Sequence, residues 1–403
     1  MKALKTLSLV LVLCSFLYSS EDVVDPLDKY ISDNKKNKFD FDYKKVEADG
    51  AKLRDSWINP LRLNYSYIKN NSYNREQKQQ SASIKMDQTI FQSGGIYFGI
   101  KYANYSKIYA NLSVDMQKRK LIKDAISILM QIKQIDLKIK KQELLIKNSE
   151  ISLTQKKEQY ISGQLDSGFL DNAIIERNFV IQSLYDIQTA KEKLISKFKT
   201  ISDLNYDNVK IPSLQKIEKE QFLQHNIVLD MSQSEMEKTK YFKNVTIAKY
   251  LPKFSFIAGY NWKSESLLGG SFQSPETSYY DYGLSVSMPI DLNVFNDIES
   301  TKVEYLKSKI EIEDKKRELI AIYEQVMQNF ENFEKKKSLS IETKDIYARL
   351  LKDTKELFSA GYKTQYDVKL LENSVIISKI DYKILEIDTQ LELLTLYEMY
   401  KFD

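Results

Sequence analysis

Two long stretches of the chain contain neither glycine nor proline, and they constrain the fold more than any other feature. The first lies between Gly99 and Gly163, the second runs from Ile290 through Ala360, and no glycine or proline follows Gly361. Because these residue types are the strongest helix breakers, each stretch can form one helix of more than sixty residues. At 1.5 Å per residue such a helix is roughly 100 Å long, which predicts an elongated helical structure.

Apolar residues in both stretches recur with the 3-4-3 spacing of a coiled-coil seam. A glycine turn ends each stretch, and a second helical segment follows, over 169–203 and 365–400. We therefore expect two antiparallel helical hairpins with tips near Gly163 and Gly361, accompanied by shorter helices at about 42–56 and 218–248. The predicted seams are Ile122, Ala125, Leu129 and Ile132 in the first long helix, and Ile320, Tyr323, Met327 and Phe330 in the second.

Four short segments alternate apolar and polar residues, which is the period of a two-faced β-strand. They cover about 61–68, 81–90, 253–262 and 280–290, and their length is that of a tilted transmembrane strand. A soluble antiparallel sheet with one wet face shows the same alternation. Aromatic residues near the strand ends favour a membrane because they fit an interfacial girdle: Tyr65, Tyr67, Tyr260, Trp262, Tyr280 and Tyr282.

The chain repeats its landmarks at nearly one spacing. Pro60 and Pro252 precede the two strand pairs at an offset of 192 residues, and the two tip glycines are 198 residues apart. Landmarks in the same order at nearly one offset indicate an internal duplication. The predicted organisation is a signal peptide over 1–20, a first structural repeat over 21–203, a linker over 204–217 and a second repeat over 218–403.

Composition argues against an enzyme and against a nucleic-acid-binding protein. His225 is the only histidine and Cys14 the only cysteine. The chain therefore has too few of these residues for a typical zinc site or for a catalytic triad that uses histidine. The formal net charge is only +4 and both signs alternate along the chain, whereas nucleic-acid binding requires a concentrated basic surface. We predict no catalytic residue, no metal site and no cofactor.

The N-terminus has the pattern of an export signal. Lys2 and Lys5 precede an apolar run over 7–17, and small residues follow at 19–20. Cleavage there would remove Cys14, and acylation of Cys14 is the alternative. Residues 21–42 are charged and rich in asparagine and lysine, and we expect them to be loosely structured.

Four strands cannot close a barrel, and an open sheet in a membrane would leave backbone groups unpaired in hydrocarbon. If the strands enter a membrane, the chain must therefore form oligomers. Two copies supply eight strands and three supply twelve, and both counts suit an outer-membrane barrel.

The order of these elements resembles that of the TolC family of outer-membrane efflux proteins. The exit from the second strand, over 88–95, carries the Gly-Gly pair typical of the family. The hairpin tips carry the family pattern of an aromatic residue, a glycine and a small hydroxyl residue before the return helix. These residues are Tyr160, Gly163 and Ser167 in the first hairpin, and Phe358, Gly361 and Thr364 in the second.

The resemblance implies a fold that is mainly α with a membrane β-barrel part: a homotrimer whose twelve-stranded barrel continues into an α-helical tunnel. It implies an outer-membrane location, with lipid around the barrel and the helices in the periplasm. It also implies a passive conduit of a tripartite efflux or type I secretion system, docked by its tips to a periplasmic adaptor and driven by an inner-membrane pump. Asp367 matches the family position whose carboxylates constrict the pore. The alternative function is a periplasmic coiled-coil interaction protein with a soluble β-cap.

Overall fold

The computed structural model describes residues 27–71, 77–267 and 276–401. The predicted signal peptide and Cys14 lie outside these ranges. In chain order, a 3-10 turn (Asp28–Tyr30) is followed by α1 (Asp33–Arg54), β1 (Arg62–Asn70), β2 (Gln77–Phe91), α2 (Gly95–Ile161), α3 (Ser167–Ile201), α4 (Lys219–Gln224), α5 (Ile227–Lys249), β3 (Lys253–Leu267), β4 (Thr277–Ser287), α6 (Val294–Ser359) and α7 (Gln365–Met399).

The two long helices are present as predicted. Helix α2 has 67 residues and α6 has 66. Each is followed by a reversal at its tip glycine, where Gly163 has φ +73° and Gly361 has φ +82°. Only glycine adopts this left-handed conformation without a steric penalty, so the chain turns there and α3 packs along α2 as α7 packs along α6.

Helix α2 is the centre of the bundle, because α1, α3, α5 and α7 all pack against it. Its predicted seam is confirmed: Ile122, Ala125, Leu129 and Ile132 are all buried. In α6 only Tyr323 of the predicted seam is fully buried, while Met327 and Phe330 are half-buried against the hydrophobic clusters. The prediction is wrong at its first position, since Ile320 belongs to neither cluster and Leu319 is buried instead. Apolar stripes overlap in this part of α6, and packing against Phe222 of α4 selects the stripe that contains Leu319 and Tyr323.

The chain between α3 and α4, in the predicted linker region, has no regular secondary structure but packs closely on the bundle. Its apolar side chains, including Leu214 and Ile217, belong to the two hydrophobic clusters. Its backbone is also held by side chains, since Leu214 N donates to Oε1 of Gln390 at 2.6 Å and Gln215 N to the Tyr397 hydroxyl at 2.9 Å. We call residues 203–218 the strap.

The expectation that residues 21–42 are loosely structured is wrong for the part that the structure describes. Tyr30 and Ile31 are buried, and the Tyr30 hydroxyl donates to the carbonyl of Lys210 in the strap. Helix α1 then begins at Asp33, about nine residues earlier than predicted, with Ser32 as its N-cap. Burial of two large apolar side chains outweighs the polar composition around them.

The four strands form one antiparallel sheet in the order β1-β2-β3-β4. Strands β2 and β3, which are far apart in sequence, pair along almost their whole length and join the two halves of the chain. The strands extend beyond the predicted bounds at the hairpin end, to Asn70, Gln77, Leu267 and Thr277. Polar residues that were predicted to form the hairpin loops therefore belong to the strands. They can do so because the hydrogen bonds between paired strands are made by backbone groups, whatever the side chain.

Candidate functional site

The strand register separates apolar from polar side chains onto opposite faces of the sheet. Directly opposed residues of antiparallel strands project from the same face, and the rows Leu63–Ile84–Tyr260–Tyr280 and Tyr65–Ala82–Trp262–Ser278 belong to one face. All six aromatic residues of the predicted girdle lie on this apolar face. Five of them are exposed by 50–75%, and Trp262 is half-buried. They occupy four successive rows, which run from Tyr67 in the hairpin half of the sheet to Tyr282 just past its middle.

A second aromatic group, which is not among the predicted girdle residues, lies on the apolar face at the helical end of the sheet. Phe254 and Phe256 come from β3, and the ring of Phe91 in β2 lies 5.8 Å from that of Phe254. By strict alternation Phe91 would share the polar face with Thr89. A register shift between Thr89 and Phe91 places Phe91 opposite Phe254 instead, as a β-bulge does.

The opposite face is polar and hydrogen-bonded across the strands. The hydroxyls of Ser66 and Ser81 are 2.8 Å apart, and Asn261 Nδ2 donates to Asp281 Oδ1 at 2.8 Å. A sheet with a wet face on one side and exposed aromatic and aliphatic side chains on the other needs a partner for its apolar face. Beyond β1 and β4 no further strand is paired within the described ranges, so both sheet edges are open.

The aromatic residue of the first hairpin tip, Tyr160, is exposed to solvent. Tyr160 is 44% exposed, and its carbonyl accepts from the N–H of Gly163 at 3.0 Å. The N-cap of α3 is Asp166, whose Oδ1 accepts from Gly168 N at 3.0 Å and from the Ser167 hydroxyl at 3.2 Å. The backbone hydrogen bond and then that hydroxyl lower the pKa of Asp166. Ser167 supports this cap.

The second tip has the same turn but a different cap. Phe358 is also 44% exposed, and Thr364 is the N-cap of α7, three residues after Gly361. Asp166 lies at the same distance from Gly163 and is the N-cap of α3, so Thr364 corresponds to Asp166 in the first hairpin. The predicted tip pattern matched Thr364 with Ser167 instead, and that match is wrong by one residue. Asp367 completes a capping box: its Oδ2 accepts from Thr364 N and from the Thr364 hydroxyl, both at 2.9 Å. These hydrogen bonds lower the pKa of Asp367.

The two hairpins touch near their tips through residues that the sequence did not single out. The Tyr366 hydroxyl in α7 donates to Oε1 of Glu158 in α2 at 3.1 Å. Further along, Asn373 Nδ2 donates to Oδ1 of Asn148 at 2.7 Å, and Lys141 and Asp381 form an ion pair at 2.7 Å. The hydrogen bond to Glu158 raises the pKa of Tyr366. Only the fold brings these residues together, since they are more than 200 positions apart.

The capping box predicts a pH-dependent contribution to stability. We expect Asp367→Asn to cost about 1 kcal/mol at neutral pH, which is typical for a lost cap. Because the pKa of Asp367 is lowered from its ordinary 3.8, this difference should be present above pH 4 and vanish as the pH falls through the folded pKa. Urea unfolding at pH 7 and pH 3 measures it. Asp353→Asn, an exposed residue of α6, is the control, and an equal loss in both variants would contradict the cap.

Across residues 27–71, 77–267 and 276–401, no three His, Cys, Asp or Glu side chains are grouped as metal ligands. In the same part of the chain, no helix combines the length and the apolar character needed to cross a membrane.

Comparison with known proteins gives a family match over one segment of the chain and a fold for nearly all of it. Residues 220–382 match the model of the family Outer membrane efflux protein. The outer membrane protein VceC of Vibrio cholerae superposes with a TM-score of 0.71 at 12% identity, over 93% of this chain and 95% of that one. The Campylobacter jejuni CmeC outer membrane channel gives 0.70 at 11%, over 94% and 86%. The open Neisseria gonorrhoeae MtrE outer membrane channel gives 0.61 at 12%, over 92% and 88%.

No curated protein matches the chain by sequence. The family match covers much of the second half of the chain, and the structural likeness covers nearly all of it. Together they confirm the resemblance that the sequence predicted.

Proposed function

Starting from a chain that matches the outer membrane efflux protein family and has the fold of its channels, we propose that it is one protomer of an efflux channel. The sheet lies in the outer membrane and the long helices extend into the periplasm. The observation that carries this proposal is the two-faced sheet with two open edges: its apolar face suits lipid and its polar face suits a water-filled path.

The protein assembles as a homotrimer. Pairing β4 of one copy with β1 of the next satisfies the open edges, and three copies then give a twelve-stranded barrel with no edge left in the hydrocarbon. We assign one girdle to the six aromatic residues, which run from the hairpin half to the middle of the sheet, and the other to the phenylalanines near the helical end. The helices of the three copies continue the barrel as a tunnel.

The channel is a passive conduit of a tripartite efflux or type I secretion system, and it catalyses no reaction. An inner-membrane pump supplies the energy, and a periplasmic adaptor joins the pump to the channel. The adaptor docks on the hairpin tips, where Tyr160 and Phe358 are exposed beside the left-handed glycines Gly163 and Gly361. An exposed aromatic residue on a turn of defined geometry is a suitable anchor for a helical partner.

Asp367 forms a constriction at the periplasmic entrance. Three copies place three carboxylates around the pore axis, and within each copy the hydrogen bonds from Thr364 favour the ionised form of Asp367. We expect Asp367→Asn to make the open channel less selective for cations in planar bilayers. Asp353→Asn, which makes the same change of charge at an exposed site of α6, should leave selectivity as it is. If Asp367→Asn also left selectivity as it is, the residue would be a helix cap only.

The mass of the detergent-extracted protein tests the proposed function. We expect a trimer in the outer-membrane fraction, with a mass near three times that of the mature chain by light scattering. A monomer or dimer recovered from the soluble periplasmic fraction would instead support the coiled-coil interaction protein with a soluble β-cap. The structure disfavours that alternative because a soluble cap would leave the apolar face in water.

A further inference from the structure

The polar face of the sheet carries one charged row across its middle. Arg62 of β1 lies directly opposite Lys85 of β2, Lys85 lies opposite Gly259 of β3, and Gly259 lies opposite Asp281 of β4. The helical ends of β2 and β3 lie about six residues from this row. If the polar face lines a channel, as the proposed function requires, the row lies well inside the lumen.

The two cations of the row are adjacent and are not neutralised. Directly opposed residues of antiparallel strands have Cα atoms about 4.5–5.5 Å apart, and like charges in this position destabilise a sheet. Among the residues that the structure describes, neither Arg62 nor Lys85 belongs to an ion pair. Both side chains are exposed. A local conflict that the fold retains without a compensating contact is typical of a functional position.

The two carboxylates near the row come from different strands, and neither forms an ion pair with Arg62 or Lys85 among the described residues. Asp281 Oδ1 accepts a hydrogen bond from Asn261 Nδ2. Its carboxylate lies over Gly259, where a Cβ atom would come within 2.8 Å of Oδ1. Asp87 lies two residues along β2 from Lys85, on a different strand from Asp281. The acids therefore form no paired site, whereas the two cations do.

A cavity of about 640 Å³ opens on this face, and both cations and both carboxylates line it. Asn59 and Pro60 form one wall. This wall is fastened to β2, because Asn59 N donates to Oε1 of Gln88 at 3.0 Å and Gln88 Nε2 donates to the carbonyl of Trp57 at 3.1 Å. The cations thus face an accessible space with a constrained wall.

We propose that Arg62 and Lys85 form an anion-binding station in the channel lumen, which holds a carboxylate or phosphate group of a passing solute between them. The guanidinium and the ammonium each donate charge-assisted hydrogen bonds to such a group, and a bound anion removes their mutual repulsion. Asp281, whose carboxylate lies over Gly259, lines the same cavity. It would attract the cationic group of a zwitterionic solute whose anionic group is bound by Arg62 and Lys85. A trimer repeats the station three times around the lumen.

Block of the open channel by tripolyphosphate tests this inference. The probe is added on the hairpin side of the purified channel in a planar bilayer, and its apparent Kd is taken from the drop in current. We expect Arg62→Gln/Lys85→Gln to weaken block by about tenfold or more, because hydrogen bonds to charged groups are lost. The control is Lys253→Gln, a lysine at the helical end of β3 opposite Ser287, which should bind the probe like the unmodified channel.

A charge reversal separates binding from folding. Lys85→Glu places a carboxylate directly opposite Arg62, and opposite charges in that position stabilise a sheet. We therefore expect a channel that assembles and conducts normally but is no longer blocked. Unchanged block in a conducting Lys85→Glu channel would overturn the station and leave the proposed function in place. A purified protein that forms no channel in bilayers would overturn the proposed function, and the station with it.

Discussion

Replacing Leu63 by arginine is expected to destabilise the membrane-embedded protein by about 2–4 kcal/mol per protomer, the cost of a lipid-facing cation at mid-height of the barrel. Leu63 is at that height because it lies opposite Ile84, the middle residue of β2. Leu63 lies on the apolar face of β1 and is 76% exposed. Its neighbour Asn64 is also exposed but lies on the polar face, opposite Ser83. The same substitution at Asn64 puts the charge in water and should cost almost nothing.

The pair of variants measures which face contacts lipid. Both are extracted from outer-membrane fractions and unfolded with urea in the same detergent, and the difference in midpoint is converted with the slope of the transition. Leu63→Arg should also lower the amount of trimer recovered from the membrane. Equal stability of the two variants would mean that the apolar face is not in lipid, which would favour the soluble sheet.

Phe198→Ala is expected to lower the free energy of unfolding by about 3–5 kcal/mol, the usual cost of removing a buried aromatic side chain. Phe198 is fully buried near the end of α3, in the cluster that includes Leu129, Leu214 and Tyr30. That cluster joins α2, the strap and the N-terminal segment. The large cavity left by alanine cannot collapse without moving several of these elements at once.

Phe41→Ala is the matched control, because Phe41 is 67% exposed on α1. Its main contact is the Lys44 ammonium 5.5 Å from the ring centre, so its loss should cost less than about 1 kcal/mol. Urea unfolding followed by circular dichroism compares the two variants. Similar losses in both would mean that Phe198 contributes no more than a surface residue, and that the strap does not form part of the core.

Local features were predictable from the sequence because they depend on residues close together in the chain. The absence of glycine and proline between Gly99 and Gly163 predicted the long helix α2, and the glycines themselves marked the tips. Alternation predicted all four strands and the face on which Tyr260 and Tyr280 lie. The bounds of the strands were predicted less well, because a ladder of backbone hydrogen bonds continues through polar residues.

The composition of the candidate site was predictable only in part. The tip aromatics Tyr160 and Phe358 could be recognised by their spacing from a glycine. The capping box of Asp367 could also have been read from its position three residues after Thr364. No spacing in the sequence pairs Arg62 with Lys85, because the register of the β1–β2 hairpin sets that pairing. Tyr366 meets Glu158 only after segments 208 positions apart have packed.

The sequence by itself determined the helices, the turns and the two-faced character of the strands, since each follows from a period or a breaker within a short window. Only the tertiary structure decided which surfaces meet. It paired β2 with β3, placed Phe91 opposite Phe254 through a bulge, buried Leu319 in place of Ile320, and fixed the strap and Tyr30 on the bundle. The physical reason is that periodicity specifies which face of an element is apolar, whereas the partner of that face is selected by packing among residues far apart in the chain.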